Sequence, residues 1–207
     1  MSDTAISHDE TPHGLTGLPF SAIAITTRRL CLRPLRRSDL DLYAYQKRGD
    51  VVRYLNWEVR DHDQSAEYLE RRRAMTRLTR DGDGLIYAAE LPDPAGGHSR
   101  VIGDMSVCLK SAADAQLEVG WVFHPAAHGQ GFATEAAMAI FDLCFGALGA
   151  HRVFAELDPR NEVSARLCSR LGMRQEAHLR GNQTFKGEWA DTACYAILDS
   201  EWGALNR

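Results

Sequence analysis

The stretch Leu117–Ala137, LEVGWVFHPAAHGQGFATEAA, constrains the fold of this chain more than any other segment. A strand-like alternation leads through a short loop into a glycine-containing turn, which opens directly into a helical pattern. The first turn of a helix leaves backbone N–H groups unpaired, and the helix dipole places partial positive charge there. Gly129 and Gly131 let the main chain approach a ligand closely. The segment therefore indicates an anion site, and a diphosphate is the anion that suits it best.

Two common nucleotide-binding motifs do not fit this turn. A dinucleotide-binding turn requires G-x-G-x-x-G directly after the strand and an acidic residue about twenty positions later. Here five residues separate Phe123 from the turn, Thr134 replaces the third glycine, and Glu156 comes too late. A triphosphate-binding loop requires G-K-[ST], which the sequence does not contain. A tight turn without any ligand is the remaining alternative.

The rest of the chain predicts a single mixed α/β domain over residues 21–207, with antiparallel hairpins early and a crossover later. Residues 1–20 are predicted to be a mostly disordered leader, ordered only near Leu18 and Phe20. The predicted elements are a strand at Ile23–Leu35, a helix from Ser38-Asp39 to Gly49, a helix from Asp63 to Arg80, strands at Leu85–Leu91, Val101–Lys110 and Gln116–Phe123, a helix at Phe132–Leu148, a strand at Arg152–Leu157, a helix at Asn161–Leu171, and strands at Met173–Leu179 and Ala190–Leu198.

Composition excludes several classes of protein. The chain has 24 Lys+Arg against 28 Asp+Glu, a net charge of -4, without the basic surplus that nucleic-acid binding requires. No apolar run is long enough to span a membrane, and the polar first twenty residues do not resemble a signal peptide. The five cysteines are scattered without a CxxC pair, which favours reduced thiols in the cytoplasm. The histidines form no HExxH motif, so we expect no metal.

A resemblance to a known family starts at this turn. His128–Ala133 is similar to the Q/R-x-x-G-x-G/A signature of the GCN5-related N-acetyltransferases, although His128 departs from the first position. Asn161–Leu167, followed by Leu171-Gly172-Met173, resembles the N-x-x-A/S-x-x-L…LGF helix of the same family. The chain is therefore similar to this family across its second half.

Three further segments resemble the RimJ/RimL-like branch of the family. Thr27–Leu35 followed by Asp39 resembles its T-x-R-L-x-L-R-x-L…D opening, and Glu118–Trp121 matches its E-I-G-Y/W strand. Trp189 and Asp191, ahead of Tyr195, match its closing W-x-D…Y. The similarity thus runs from about Thr26 to Trp202, in the right order and with the right spacings.

The resemblance implies a fold and a cofactor. The fold is one domain with a central, mostly antiparallel twisted sheet of about seven strands, flanked by about four helices and splayed at the acetyl-CoA site. Acetyl-CoA is the implied co-substrate, and no metal takes part. The implied cofactor-binding residues are Trp121, Val122, Phe123, His128, Gly129, Gln130, Gly131, Phe132, Ala133, Thr134 and Asn161.

The implied reaction is transfer of an acetyl group to a primary amine by direct attack in a ternary complex. A carboxylate is useful as proton acceptor, and the resemblance offers Glu118 or Glu156, between which the sequence does not choose. Each could equally be an outward-facing strand residue. The tyrosine that many members place seven residues after Asn161 is replaced by Cys168. Ser164 is a candidate hydrogen-bond donor to the departing sulfur, and a packing serine is the alternative.

The acceptor pocket of the family is built from the first helices and the loop between the last two strands. Tyr54, Trp57 and Trp189 are the corresponding candidates here, and packing under long loops is their alternative role. We expect a protein or peptide N-terminal α-amine first and a small-molecule amine next, on resemblance alone. Dimers are common among similar proteins. A non-catalytic, acetyl-CoA-binding regulatory module is the alternative function.

Overall fold

A computed structural model describes residues 14–40, 49–55, 59–93 and 96–205 of the chain. The first thirteen residues of the predicted leader, most of the first predicted helix and Trp57 lie outside these residues. The described helices and strands are β1 (Phe20–Ser21), β2 (Ile25–Thr26), β3 (Cys31–Pro34), α1 (Gly49–Val52), α2 (His62–Arg73), β4 (Thr76–Leu78), β5 (Gly84–Leu91), β6 (Arg100–Ser111), β7 (Gln116–Phe123), α3 (Phe132–Asp142), β8 (Arg152–Leu157), α4 (Glu162–Arg170), β9 (Arg174–Phe185), β10 (Glu188–Leu198) and α5 (Asp199–Leu205).

One ten-stranded sheet runs through the described part of the chain in the order β1-β4-β5-β6-β7-β8-β10-β9, with β3 paired to β5 and β2 to β3. Every pair is antiparallel except β7 with β8. That parallel pairing joins only Gln116–Glu118 to Arg152–Phe154, although β7 continues to Phe123 and β8 to Leu157. The two strands therefore diverge toward their carboxyl ends, and the sheet splays there.

Helices cover both faces of the sheet at the splay. Strand β7 alternates, so Leu117, Val119 and Phe123 join the main core with the buried residues of α3 and α4. On the opposite face, Leu69 of α2 packs with Ile86 of β5 in a smaller cluster. The mixed α/β architecture and the splay agree with the prediction. The described residues form ten strands instead of about seven, because the segment before β5 contains four short strands where one was predicted.

Two predicted elements near the start of the chain are wrong in extent. The predicted strand Ile23–Leu35 is a hairpin of β2 and β3, closed by a hydrogen bond from Thr27 N to Leu30 O. The predicted helix ending at Arg80 stops at Arg73, because the next residues form β4 and pair with β1 and β5. Asp39, where the first predicted helix begins, has a buried carboxylate that accepts from Arg33, and residues 41–48 of that predicted helix lie outside the described residues.

The arginine of that buried pair has two acidic partners. Its Nη1 and Nη2 lie 2.8 and 2.9 Å from the two carboxylate oxygens of Asp39, and Nη2 is 3.0 Å from Glu90. Burial alone would lower the pKa of Arg33, but the hydrogen bonds that it donates to both carboxylates raise it above its usual value. Through Glu90, Arg33 also ties β3 to β5 beside the smaller core.

The other end of the chain is more regular than predicted. The loop expected at residues 181–189 is instead the continuation of the β9–β10 hairpin, which turns at Lys186 and Gly187 with positive φ. Helix α5 then follows β10 and buries Trp202 against Phe141.

At the amino end, residues 14–21 lie on the core, where Leu15 N donates to Ala112 O and Gly17 N to Leu148 O.

Candidate active site

A cleft of about 1160 Å³ lies at the splay, on the face covered by α3 and α4. The end of β7, the turn before α3 and the start of α4 form its walls. Of the residues that the resemblance assigns to acetyl-CoA, those lining the cleft are Trp121, Val122, Phe123, His128, Gly129, Gly131, Phe132, Ala133, Thr134 and Asn161.

The turn before α3 presents a row of unpaired backbone N–H groups. The first hydrogen bond of the helix runs from Glu135 N to Gly131 O at 3.0 Å. The N–H groups of residues 129–134 donate to no atom of the described part of the chain. Gly129 and Gly131 have φ of 73° and 78°, and a Cβ built on Gly129 would meet nothing within 4 Å. These donors fit a diphosphate, because they are oriented at a helix start and open to the cleft.

The N–H groups of residues 129–134 are called the diphosphate cradle from here on. The side chains of the turn do not fill the space in front of these groups. Nε2 of His128 lies 3.1 Å from the carbonyl oxygen of Phe123, and since a carbonyl can only accept, this nitrogen carries the hydrogen. Nε2 of Gln130 donates to Ala126 O at 2.7 Å. His128, the departure from the family signature, thus holds the turn against the end of β7 and leaves the backbone donors accessible.

Arg29, to which the sequence analysis gave no role, borders the cradle. Nε of Arg29 donates to Glu135 at 2.6 Å, Nη1 donates to Gln130 O at 2.9 Å, and the guanidinium lies 4.2 Å from the ring centre of Phe132. Glu135 also accepts from Thr27 Oγ1 and from the backbone of Arg29. Burial would raise the pKa of Glu135, but these hydrogen bonds lower it below its ordinary value.

A second cavity of about 600 Å³ lies on the α2 face of the sheet. It meets the first cleft at the splay, and the residues that line both are Tyr54, Leu55, Trp121, Val122, Asn161 and Ser164. The carboxylates lining the second cavity are Asp104, Glu118, Glu156 and Asp158. Two molecules bound in the two cavities would therefore meet between β7 and β8.

The four carboxylates differ in their partners. Asp104 pairs with Arg72 at 2.8 Å, and Asp158 pairs with Arg160 at 2.6 Å. Glu118 accepts from Lys110 at 2.9 Å, which raises the pKa of the Lys110 ammonium.

The exposed carboxylate of Glu156 makes no hydrogen bond or ion pair with any described residue, although its charge contributes to the raised pKa of Lys110. Of the two glutamates that the resemblance offers, Glu156 has the carboxylate available to a ligand.

Ser164 and Cys168 lie on the same helix in different environments. Trp121 Nε1 donates to Ser164 Oγ at 3.3 Å, across the opening between β7 and α4. Ser164 N donates to Oδ1 of Asn161 at 3.2 Å, so Asn161 is the helix cap. Cys168 is fully buried, and burial raises the pKa of its thiol to about 12. This cysteine is therefore a core residue and neither an acid nor a nucleophile at neutral pH.

The structure brings together only part of the predicted acceptor site. Tyr54 lines both cavities, and Phe185 lines the second. Trp189 lines neither cavity within the described residues, and its side chain is 74% exposed on the β9–β10 hairpin.

In the described part of the chain, no three His, Cys, Asp or Glu residues are grouped as metal ligands. None of the described helices has the length and apolar character needed to cross a bilayer.

Known proteins are similar to this chain in sequence and in architecture. The sequence model of the Acetyltransferase (GNAT) domain matches residues 29–174. YnaD, an uncharacterized N-acetyltransferase of Bacillus subtilis strain 168, is 30% identical over 179 residues, which cover 86% of this chain and 98% of that protein. The crystal structure of a GNAT-family acetyltransferase from Bacillus anthracis has a TM-score of 0.74 at 25% identity, covering 86% of this chain and all of that one.

A third neighbour is the spermidine N-acetyltransferase of Vibrio cholerae, solved in complex with CoA and spermine, with a TM-score of 0.68 and 20% identity over 84% of this chain and 98% of that one. The fold and the cleft thus define an acetyltransferase. The chain belongs to the GNAT acetyltransferase family, and it is an N-acetyltransferase. The predicted fold class and enzyme class are confirmed.

Proposed function

We propose that this enzyme transfers an acetyl group from acetyl-CoA, bound in the cleft on the α3 face, to a primary amine in the cavity on the α2 face. The observation that carries the proposal is the meeting of the two cavities at the splay, where they share Trp121, Asn161 and Ser164. When bound, acetyl-CoA supplies the acetyl thioester. The backbone N–H groups of residues 129–134 would hold its diphosphate.

Glu156 is the proposed proton acceptor. A primary amine must lose a proton before or during attack, and a carboxylate within reach can take it. Glu118 is less suitable, because Lys110 already occupies its carboxylate at 2.9 Å. Glu156 lines the same cavity without a described partner, so an incoming ammonium would be its first ion pair.

Ser164 is the proposed hydrogen-bond donor to the departing sulfur. The indole N–H of Trp121 can only donate, so in their 3.3 Å contact Ser164 Oγ is the acceptor. The hydroxyl hydrogen of Ser164 then remains free to point into the cleft. A thiol has a pKa of about 8.5, so a hydrogen bond that stabilises the thiolate suffices and no proton needs to be transferred. This arrangement takes the place of the tyrosine that Cys168 replaces.

An N-terminal α-amine of a peptide or protein is the favoured acceptor, ahead of a small-molecule amine. An α-amine has a pKa of about 8 against about 10.4 for an alkylamine, so a larger fraction of it is neutral near pH 7, and one available carboxylate is enough to take the proton that attack releases. The RimJ/RimL-like motifs of the chain support the same choice.

The five free thiols fit a reducing compartment and support a cytoplasmic location.

Two measurements test the proposal in sequence. Coenzyme A should raise the melting temperature of the protein, because a ligand that binds only the folded state stabilises it. Release of free thiol from acetyl-CoA is then followed against peptides with free and blocked N-termini and against polyamines and amino acids. Turnover with free but not blocked peptides is the expected result. Binding without turnover on any amine would favour a non-catalytic binding module, and no thermal shift would overturn the proposal.

A further inference from the structure

Arg29 is immobilised beside the diphosphate cradle from three directions. Its Nε donates to Glu135, its Nη1 donates to the carbonyl of Gln130, and its planar face lies 4.2 Å from the ring centre of Phe132. The side chain is 31% exposed, so it borders the cleft without filling it. A charge-assisted hydrogen bond from an arginine held in this way fixes its acceptor more firmly than a neutral one would.

The acceptor in question, Gln130 O, belongs to the peptide unit that precedes Gly131. The C=O and N–H of one trans peptide point in opposite directions, so a hydrogen bond on Gln130 O also fixes the direction of the Gly131 N–H. Gly131 has φ of 78°, and glycine populates both signs of φ almost equally. Without a partner on Gln130 O, this peptide could rotate, and the N–H of Gly131 would leave the row of donors.

We propose that Arg29 is a positioning residue that pre-organises the diphosphate cradle by holding the Gln130–Gly131 peptide, with Glu135 as its anchor. The inference rests on the proposed function, since it assumes a diphosphate in the cradle. Arg29 acts through the backbone and not by contacting the ligand. Glu135 contributes by accepting from Arg29 Nε, Arg29 N and Thr27 Oγ1, which locks the β2–β3 turn against the first turn of α3.

The first test compares donors with and without a diphosphate. Arg29→Gln should raise the KM for acetyl-CoA about tenfold, the effect of one lost charge-assisted hydrogen bond, and leave kcat within twofold. Acetyl-dephospho-CoA, which keeps the diphosphate, should show the same increase. S-acetylpantetheine, which lacks it, should be used equally well by both enzymes. An equal loss with S-acetylpantetheine would indicate general damage to the fold and overturn the proposal.

Two variants separate positioning from charge. Arg77→Gln removes the same charge from an exposed side chain of β4 that lines neither cavity, and should leave KM within about twofold. Arg29→Lys keeps the charge but cannot hold Glu135 and the Gln130 carbonyl together, so it should share most of the defect. If Arg29→Lys binds acetyl-CoA like the unaltered enzyme, charge alone matters and positioning is refuted.

A double variant tests whether Arg29 acts through the glycine peptide. Gly131→Ala disfavours φ of 78° and should itself raise the KM for acetyl-CoA. If Arg29 works only by holding this peptide, adding Arg29→Gln to Gly131→Ala should raise KM less than about twofold further. Additive effects would show that Arg29 contacts the ligand directly. Failure of the unaltered protein to bind coenzyme A would instead refute the proposed function.

Discussion

Replacing Glu156 by glutamine should impair acetyl transfer in a pH-dependent way. General-base catalysis contributes about 10²- to 10⁴-fold, and because an α-amine with a pKa of about 8 is already about one-tenth neutral at pH 7, we expect a loss near 100-fold in kcat. This corresponds to about 2.7 kcal/mol of transition-state stabilisation. The assay is thiol release from saturating acetyl-CoA with a short peptide between pH 6 and pH 9.5.

The pH dependence identifies the role of the residue. As the pH rises above the pKa of the acceptor, the amine loses its proton to solvent, and the defect of Glu156→Gln should shrink about tenfold between pH 7 and pH 9. Glu118→Gln is the matched control, because Glu118 lies on the neighbouring strand and its half-exposed ion pair with Lys110 is worth less than about 1 kcal/mol. A pH-independent defect in Glu156→Gln, or a larger loss in Glu118→Gln, would refute the assignment.

Three further changes have defined outcomes. Ser164→Ala should lower kcat about tenfold with unchanged KM, since it removes a hydrogen bond needed only as the thiolate forms; steady-state kinetics equal to the unaltered enzyme would exclude that role. Asp39→Ala leaves the buried Arg33 charge without its bidentate partner, so it should lower the free energy of unfolding by about 3 to 5 kcal/mol and Tm by about 10 °C. A calorimetric drop in Tm below about 2 °C, which corresponds to less than about 1 kcal/mol, would contradict this prediction. Because the pKa of Glu135 is lowered in the folded protein, its ionised carboxylate stabilises the fold fully above the ordinary pKa of 4.5, and this stabilisation is lost as the pH falls from 4.5 through the lowered pKa. Urea unfolding should therefore show a shallower acid decline in Glu135→Gln than in the unaltered protein, and parallel declines would argue against this linkage.

Elements with strong local signals were predictable from the sequence. Strands β7 and β8 begin and end where their alternation and flanking residues indicate, at Gln116–Phe123 and Arg152–Leu157. Asn161 caps α4 as an asparagine before an amphipathic segment should. The cradle followed from two glycines before a helix, a pattern that depends on backbone conformation and little on distant contacts.

Elements that depend on distant partners were not predictable in the same way. Thr76–Leu78 continues a helical pattern but forms β4, because β1 and β5 offer hydrogen-bonding edges on both sides. At Thr76–Leu78 the local helix propensity was weaker than the tertiary strand pairing, which decided the outcome. The buried pairing of Asp39 with Arg33 was likewise not evident from the local sequence, which indicated only a residue type suited to a helix cap.

The candidate site also combines features with a local sequence signal and features that depend on distant contacts. The backbone donors could be located from sequence, whereas the contact of Trp121 with Ser164 and that of Arg29 with Glu135 join residues 43 and 106 positions apart. The resemblance of Thr27–Leu35 to the family opening was the only signal that pointed toward Arg29. The choice between Glu118 and Glu156 also needed the structure, because it depends on Lys110 reaching one of them.

Backbone amide NMR during a titration with coenzyme A tests the central claim most directly. If residues 129–134 hold the diphosphate, their N–H resonances should show the largest shifts on adding coenzyme A and should not move on adding pantetheine. The N–H resonances of the distant β9–β10 turn at Gly187 provide an internal reference. Tight binding of coenzyme A with unmoved resonances at residues 129–134 would contradict the account.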